Sequence, residues 1–94
     1  MNIKKEQEEQ IINCGVFGYD SKKIANILGF DNQEVQREMT DETSEFYTLL
    51  QKGKDIADYV IDLKLFEMAK GGDIGALDKF EYRKRDRKDF SELL

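Results

Sequence analysis

Asp20-Ser21-Lys22-Lys23-Ile24-Ala25-Asn26-Ile27-Leu28-Gly29-Phe30-Asp31-Asn32-Gln33-Glu34-Val35-Gln36-Arg37-Glu38-Met39 is the stretch whose punctuation decides the fold. Asp20 carries a short acceptor side chain suited to capping a helix start, and the spacing predicts a helix over 21–28 with Ile24, Ala25, Ile27 and Leu28 on its buried side. Gly29 then supplies the left-handed backbone of a sharp stop. Asp31 caps a second short helix, with Glu34 three residues on as its capping-box partner and Val35 and Met39 facing inward. Two short helices in contact need a small residue at their crossing, a glycine in the turn, and a branched apolar residue to lock the second helix onto the first. Ala25, Gly29 and Val35 meet those needs in order, which predicts a helix-turn-helix at about residues 20–39. Glu38 departs from the apolar residue expected three positions past Val35, and Met39 is expected to take its place.

The residues left outside this core suggest a ligand. Asn32, Gln33, Gln36 and Arg37 lie on the outward side of the second short helix, where amide side chains suit adenine edges and arginine suits guanine edges or phosphate. Lys22 and Lys23 open the preceding helix as candidate phosphate clamps. Asp31, Glu34 and Glu38 repel phosphate; capping accounts for the first two but not for Glu38. A helix-turn-helix used only for packing or protein contact is the alternative.

N-terminal to this motif, the spacing predicts a first helix over about 4–14. Gly15 and Gly18 bracket its exit, and Phe17 and Tyr19 pack inward. C-terminal to it, Asp41 is placed to cap a long fourth helix. Phe46, Leu49, Leu50, Gly53, Ile56, Ala57, Val60 and Leu63 form its apolar stripe, with Gly53 marking a bend or a close helix contact. Gly71-Gly72-Asp73 reads as stop, turn and new cap, followed by a fifth helix with Ile74, Leu77 and Phe80 inward and a charged, fraying end. A link this short makes the fourth and fifth helices antiparallel neighbours. Between Ile56 and Ala69 only Asp58, Asp62, Lys64 and Glu67 are polar. Tyr59, Ile61, Leu65, Phe66 and Met68 therefore point around a cylinder too apolar for one partner, and they are read as an oligomer interface. The alternative is that the first three helices fold back over them. Arg83, Lys84, Arg85, Arg87 and Lys88 form the most basic run, either a solvated face or a contact with phosphate or an acidic partner.

Composition narrows the chemistry. The chain has 94 residues, no proline, no histidine, one cysteine and a net charge of −5. The fold class predicted is all-α, with residues 1–41 as a DNA-binding region and 42–94 as an oligomerisation hairpin. Without histidine, the usual zinc sites and histidine-activated nucleophiles are absent, and no metal or other cofactor is expected. Gly53-Lys54 lacks the upstream glycine of a phosphate loop, since Thr48 stands there. The carboxylates read as solvating charge, so no enzymatic activity is expected. Cys14 alone points to a reducing compartment and a packing role. No membrane span and no signal peptide are read, and the expected location is cytoplasmic.

The order of parts resembles a known family. Lys23-Ile24-Ala25-Asn26-Ile27-Leu28-Gly29 is followed by an acidic linker. Phe46-Tyr47, Lys52-Gly53-Lys54 and Ala57 come next, and then Leu65-Phe66-Glu67-Met68-Ala69, Gly72-Asp73 and Ala76-Leu77. Over about residues 20–85 this is similar to the small terminase subunits of tailed bacteriophages and prophages. The resemblance implies N-terminal DNA-binding helices and a helical hairpin that assembles homo-oligomeric rings. It also implies recognition of double-stranded viral DNA, presented to a large terminase subunit that holds the ATPase and nuclease, in the cytoplasm of a bacterial host. Gln33, Gln36 and Arg37 would then lie on the DNA-facing helix, and Tyr59, Ile61, Leu65 and Met68 in the ring-forming hairpin. A small helix-turn-helix transcriptional regulator and a protein-interaction adaptor are the alternatives.

Overall fold

The computed structural model describes the backbone of residues 1–92 and the side chains of residues 1–87, and within them every regular element is an α-helix. In chain order these are α1 (Lys5–Phe17), α2 (Ser21–Leu28), α3 (Asn32–Thr40), α4 (Glu45–Lys70) and α5 (Ile74–Glu92). The chain divides into two compact units, Met1–Ala57 and Asp58–Leu94, so α4 begins in the first and ends in the second.

In the first unit, local signals set each helix end. The Lys23 N–H donates to the Asp20 carboxylate at 2.9 Å, starting α2. Gly29, at φ +77°, stops it with its N–H on the Ala25 carbonyl at 2.8 Å. The Glu34 N–H donates to Asp31 at 3.2 Å and starts α3. Ile11, Cys14, Ile24, Ala25, Leu28, Val35, Phe46 and Leu50 form the core, with Ile3, Tyr19, Phe30, Met39 and Leu49 packed around it. Each large side chain buried there contributes about 1.5–3 kcal/mol relative to exposure. Burial pushes the Cys14 thiol pKa up, in keeping with a packing role.

Several expectations are corrected here. The first helix does not end near Cys14 but continues to Phe17, and the left-handed stop is Gly18. Gly15 lies inside the helix, buried against α4: a Cβ on Gly15 would collide with the Leu50 carbonyl, and one on Gly53 with the Ile12 carbonyl. Gly15 is thus a place where two backbones touch rather than an exit. Phe17, carried one step past that crossing, is 63% exposed, and Ile27 is exposed as well. Asp41 does not cap α4. Its carboxylate accepts from the Thr43 hydroxyl and N–H, which hold its pKa below the usual carboxylate range. Ser44 takes the cap, accepting from the Tyr47 N–H at 3.0 Å while its own hydroxyl donates to the Glu38 carbonyl at 3.0 Å.

The later part of the apolar stripe predicted for α4 is not buried: Ile56 is exposed, and so are Val60 and Leu63 in the second unit. Ile74 is 74% exposed and Leu77 is also exposed, whereas Ala76 is buried. The Phe66 and Phe80 rings meet at 5.5 Å, and Arg83 reaches Asp62 at 2.6 Å and Asp58 at 3.1 Å. Arg87 also pairs with Asp62 at 2.6 Å. Ala76, Phe80, Arg83 and Arg87 follow one another at steps of four, three and four, which is one helix face. The same holds for Asp58, Asp62 and Phe66. Charge pairing thus sets the rotation of α5, and Ile74 and Leu77 are turned outward. Among the described residues, no helix is long and apolar enough to cross a membrane.

Candidate nucleic-acid interface

The candidate interface is the outer face of α3. Val35 is fully buried and Met39 is packed on the core, which fixes how the helix is rotated. At 100° per residue, Gln33 and Arg37 fall about 160° from Val35 and Gln36 about 100° from it, and all three are exposed. Arg37 stands in the last turn, where a cation complements the helix dipole. It enters none of the ion pairs found among the described residues.

Of the three acids that repel phosphate, Asp31 is exposed at the start of α3, where it accepts from the Glu34 N–H, and the other two lie on a different flank from the trio. Glu34 and Glu38 are one turn apart, half-buried, and approach the Met1 amine at 3.5 and 3.8 Å. Glu34 therefore does not complete the reciprocal capping box; its carboxylate is turned to the amine. This is also the partner for Glu38 that capping does not supply.

The other candidates separate into groups. Asn32 is half-buried, and its side-chain oxygen is buried without a hydrogen-bond partner, so it stands apart from the outward trio. Lys22 and Lys23 are exposed at the start of α2, with the Lys23 ammonium 4.2 Å from the centroid of the Tyr19 ring. Thr40, not singled out from the sequence, is exposed one turn beyond Gln36 and Arg37. Its spacing of seven from Gln33 was the available signal.

In the second unit, Tyr59 is 66% exposed, and Ile61, Phe66 and Met68 are exposed while Leu65 is half-buried. Ile61, Leu65 and Tyr82 line a groove of about 720 Å³ with charged residues at its edges. The basic run divides. Arg83 and Arg87 are taken up by Asp58 and Asp62, Lys84 and Arg85 are exposed, and the Lys88 side chain lies outside the described residues. Burial pushes the Asp62 carboxyl up, but the hydrogen bonds and charges of Arg83 and Arg87 outweigh it and leave the pKa lowered. Asp62 in turn raises that of Arg83. The complementary four-residue spacings of Asp58/Asp62 and Arg83/Arg87 were visible in the sequence as a signal for this pairing. No cluster of His, Cys, Asp and Glu suited to a metal ion occurs among the described residues. Comparison with protein-family models, with curated proteins and with solved structures gives no match, so the geometry of α3 and of the second unit carries the functional argument.

Proposed function

We propose that this chain is a non-enzymatic DNA-recognition subunit of the small-terminase kind. It binds double-stranded viral DNA as a homo-oligomer and presents it to a large subunit bearing the ATPase and nuclease. The carrying observation is the outer face of α3, where Gln33, Gln36 and Arg37 are exposed together while Glu34 and Glu38 sit on another flank. In this reading α2 and α3 form a helix-turn-helix, with Gly29 in the turn and α3 entering the major groove. The second unit is the oligomerisation hairpin, supported by the exposed Tyr59, Ile61, Phe66 and Met68. A net charge of −5 makes a single copy a weak binder, and several copies on one assembly raise the grip by effective concentration.

The test is a salt titration of binding to duplex DNA, run beside a mass measurement by light scattering. Binding by a species larger than a dimer, with log K falling steeply against log salt, is expected. Arg37→Ala should weaken binding about tenfold. A dimer preferring a palindrome would favour a transcriptional regulator instead, and absence of binding at low salt would leave a protein-interaction adaptor.

A further inference from the structure

Thr40 shares the outer face of α3 with Gln33, Gln36 and Arg37. At 100° per residue these four fall within a sector of about 100°, and all are exposed. From Gln33 to Thr40 the helix rises about 10 Å, the length of about three base steps. Of the four, Thr40 alone has its polar group already engaged. Its hydroxyl donates back to the helix, 3.0 Å from the Arg37 carbonyl and 3.4 Å from that of Gln36. That spends the hydroxyl hydrogen, so Thr40 has no donor left to offer a base acceptor, and its γ-methyl remains free for an apolar contact. A threonine methyl in the major groove has one distinctive partner, the 5-methyl of thymine.

We propose that Thr40 is a specificity residue that reads a thymine methyl. It lies at one end of a strip in which Gln33 and Gln36 address adenine edges and Arg37 a guanine edge. The inference rests on the DNA-binding reading above and adds to it the base class recognised. Donating the threonine hydroxyl to a base instead would break its bonds to the helix carbonyls, whereas the methyl contact needs no rearrangement. Glu34 and Glu38 do not enter the strip, since they lie about 60° and 100° around the helix from Arg37, on the side of the Met1 amine.

The experiment uses the full chain and a pool of 20-base-pair duplexes randomised over six central positions. Selection at low salt is followed by fluorescence-anisotropy titration of the enriched duplex. A thymine should be enriched, and replacing it with deoxyuracil, which removes only the methyl, should weaken binding about fourfold, the worth of one buried methyl group. Thr40→Ser should bind the two duplexes equally, and Thr40→Val, which keeps the methyl, should still prefer thymine. The uracil comparison uses the unaltered protein, so it holds even where a variant folds poorly. Retention of duplex without thymine enrichment, or discrimination against uracil that persists in Thr40→Ser, overturns this assignment and leaves DNA binding standing. Failure to retain any duplex at low salt overturns both.

Discussion

A methyl group added to Gly53 would run into the carbonyl of Ile12 and crowd the amide of Val16, and neither can rotate away because both are backbone. Alanine is the better helix former by about 1 kcal/mol, so propensity alone favours Gly53→Ala. The collision is the larger effect, since forced separation of two packed helices costs about 1–3 kcal/mol or more before that gain is subtracted. Gly53→Ala should therefore lower stability by about 1 kcal/mol, and by up to about 2, in urea unfolding followed by circular dichroism, and an unchanged midpoint would contradict the crossing. One half of this contact was legible in the sequence, because Gly53 interrupts an otherwise good helix and so signals a bend or a close neighbour. Gly15 was not. With Gly18 three residues on, it resembles a helix stop, and only its partner on α4 shows that it belongs to the interior.

At the scale of elements, the contact face of α4 and α5 in the second unit is made by Asp58, Asp62, Phe66, Phe80, Arg83 and Arg87. Asp62 accepts from two arginines, and its pKa is lowered in the folded chain. A carboxylate depressed on folding stabilises above its unfolded pKa, and the benefit is lost as pH falls through the folded value. Asp62→Asn should thus cost about 1 kcal/mol near neutral pH, a modest figure because Arg87 is half-exposed and screened. Urea titrations should show the two proteins converging in acid below the usual carboxylate range; a difference independent of pH would refute the pairing. Helix limits set by local chemistry were readable: Asp20 and Gly29 bound α2 at the expected residues. The start of α4 was not, because Thr43 engages Asp41 and leaves the cap to Ser44. Apolar periodicity also misplaced Ile74 and Leu77, since it takes no account of arginines that find aspartates across a helix contact.

For the molecule as a whole, the second unit has partly exposed ion pairs along the contact of α4 and α5 and leaves apolar side chains uncovered, with Tyr59, Val60, Ile61 and Tyr82 all exposed. Under the proposed function those groups are covered by further copies. Tyr59 contributes little to a single copy at 66% exposure, so Tyr59→Asp should leave the helical spectrum intact while reducing the mass seen by light scattering. An unchanged mass would remove Tyr59 from the interface. The excess of apolar residues between 56 and 69 was legible as surface in need of cover. Which of them touch α5 was not, because that depends on the rotation the ion pairs impose. On the outer face of α3, the exposure of Gln33, Gln36, Arg37 and Thr40 could be read from spacing, whereas the engagement of the Thr40 hydroxyl by the helix carbonyls could not. The crossing of α1 and α4 has a mechanical corollary. Side chains absorb small displacements by changing rotamer, but at Gly15 and Gly53 none stands between the two backbones. The joint therefore has no soft coordinate. Any atom added at either glycine must move a whole helix rather than a rotamer, so the spacing of α1 and α4 at this crossing is set by main chain alone.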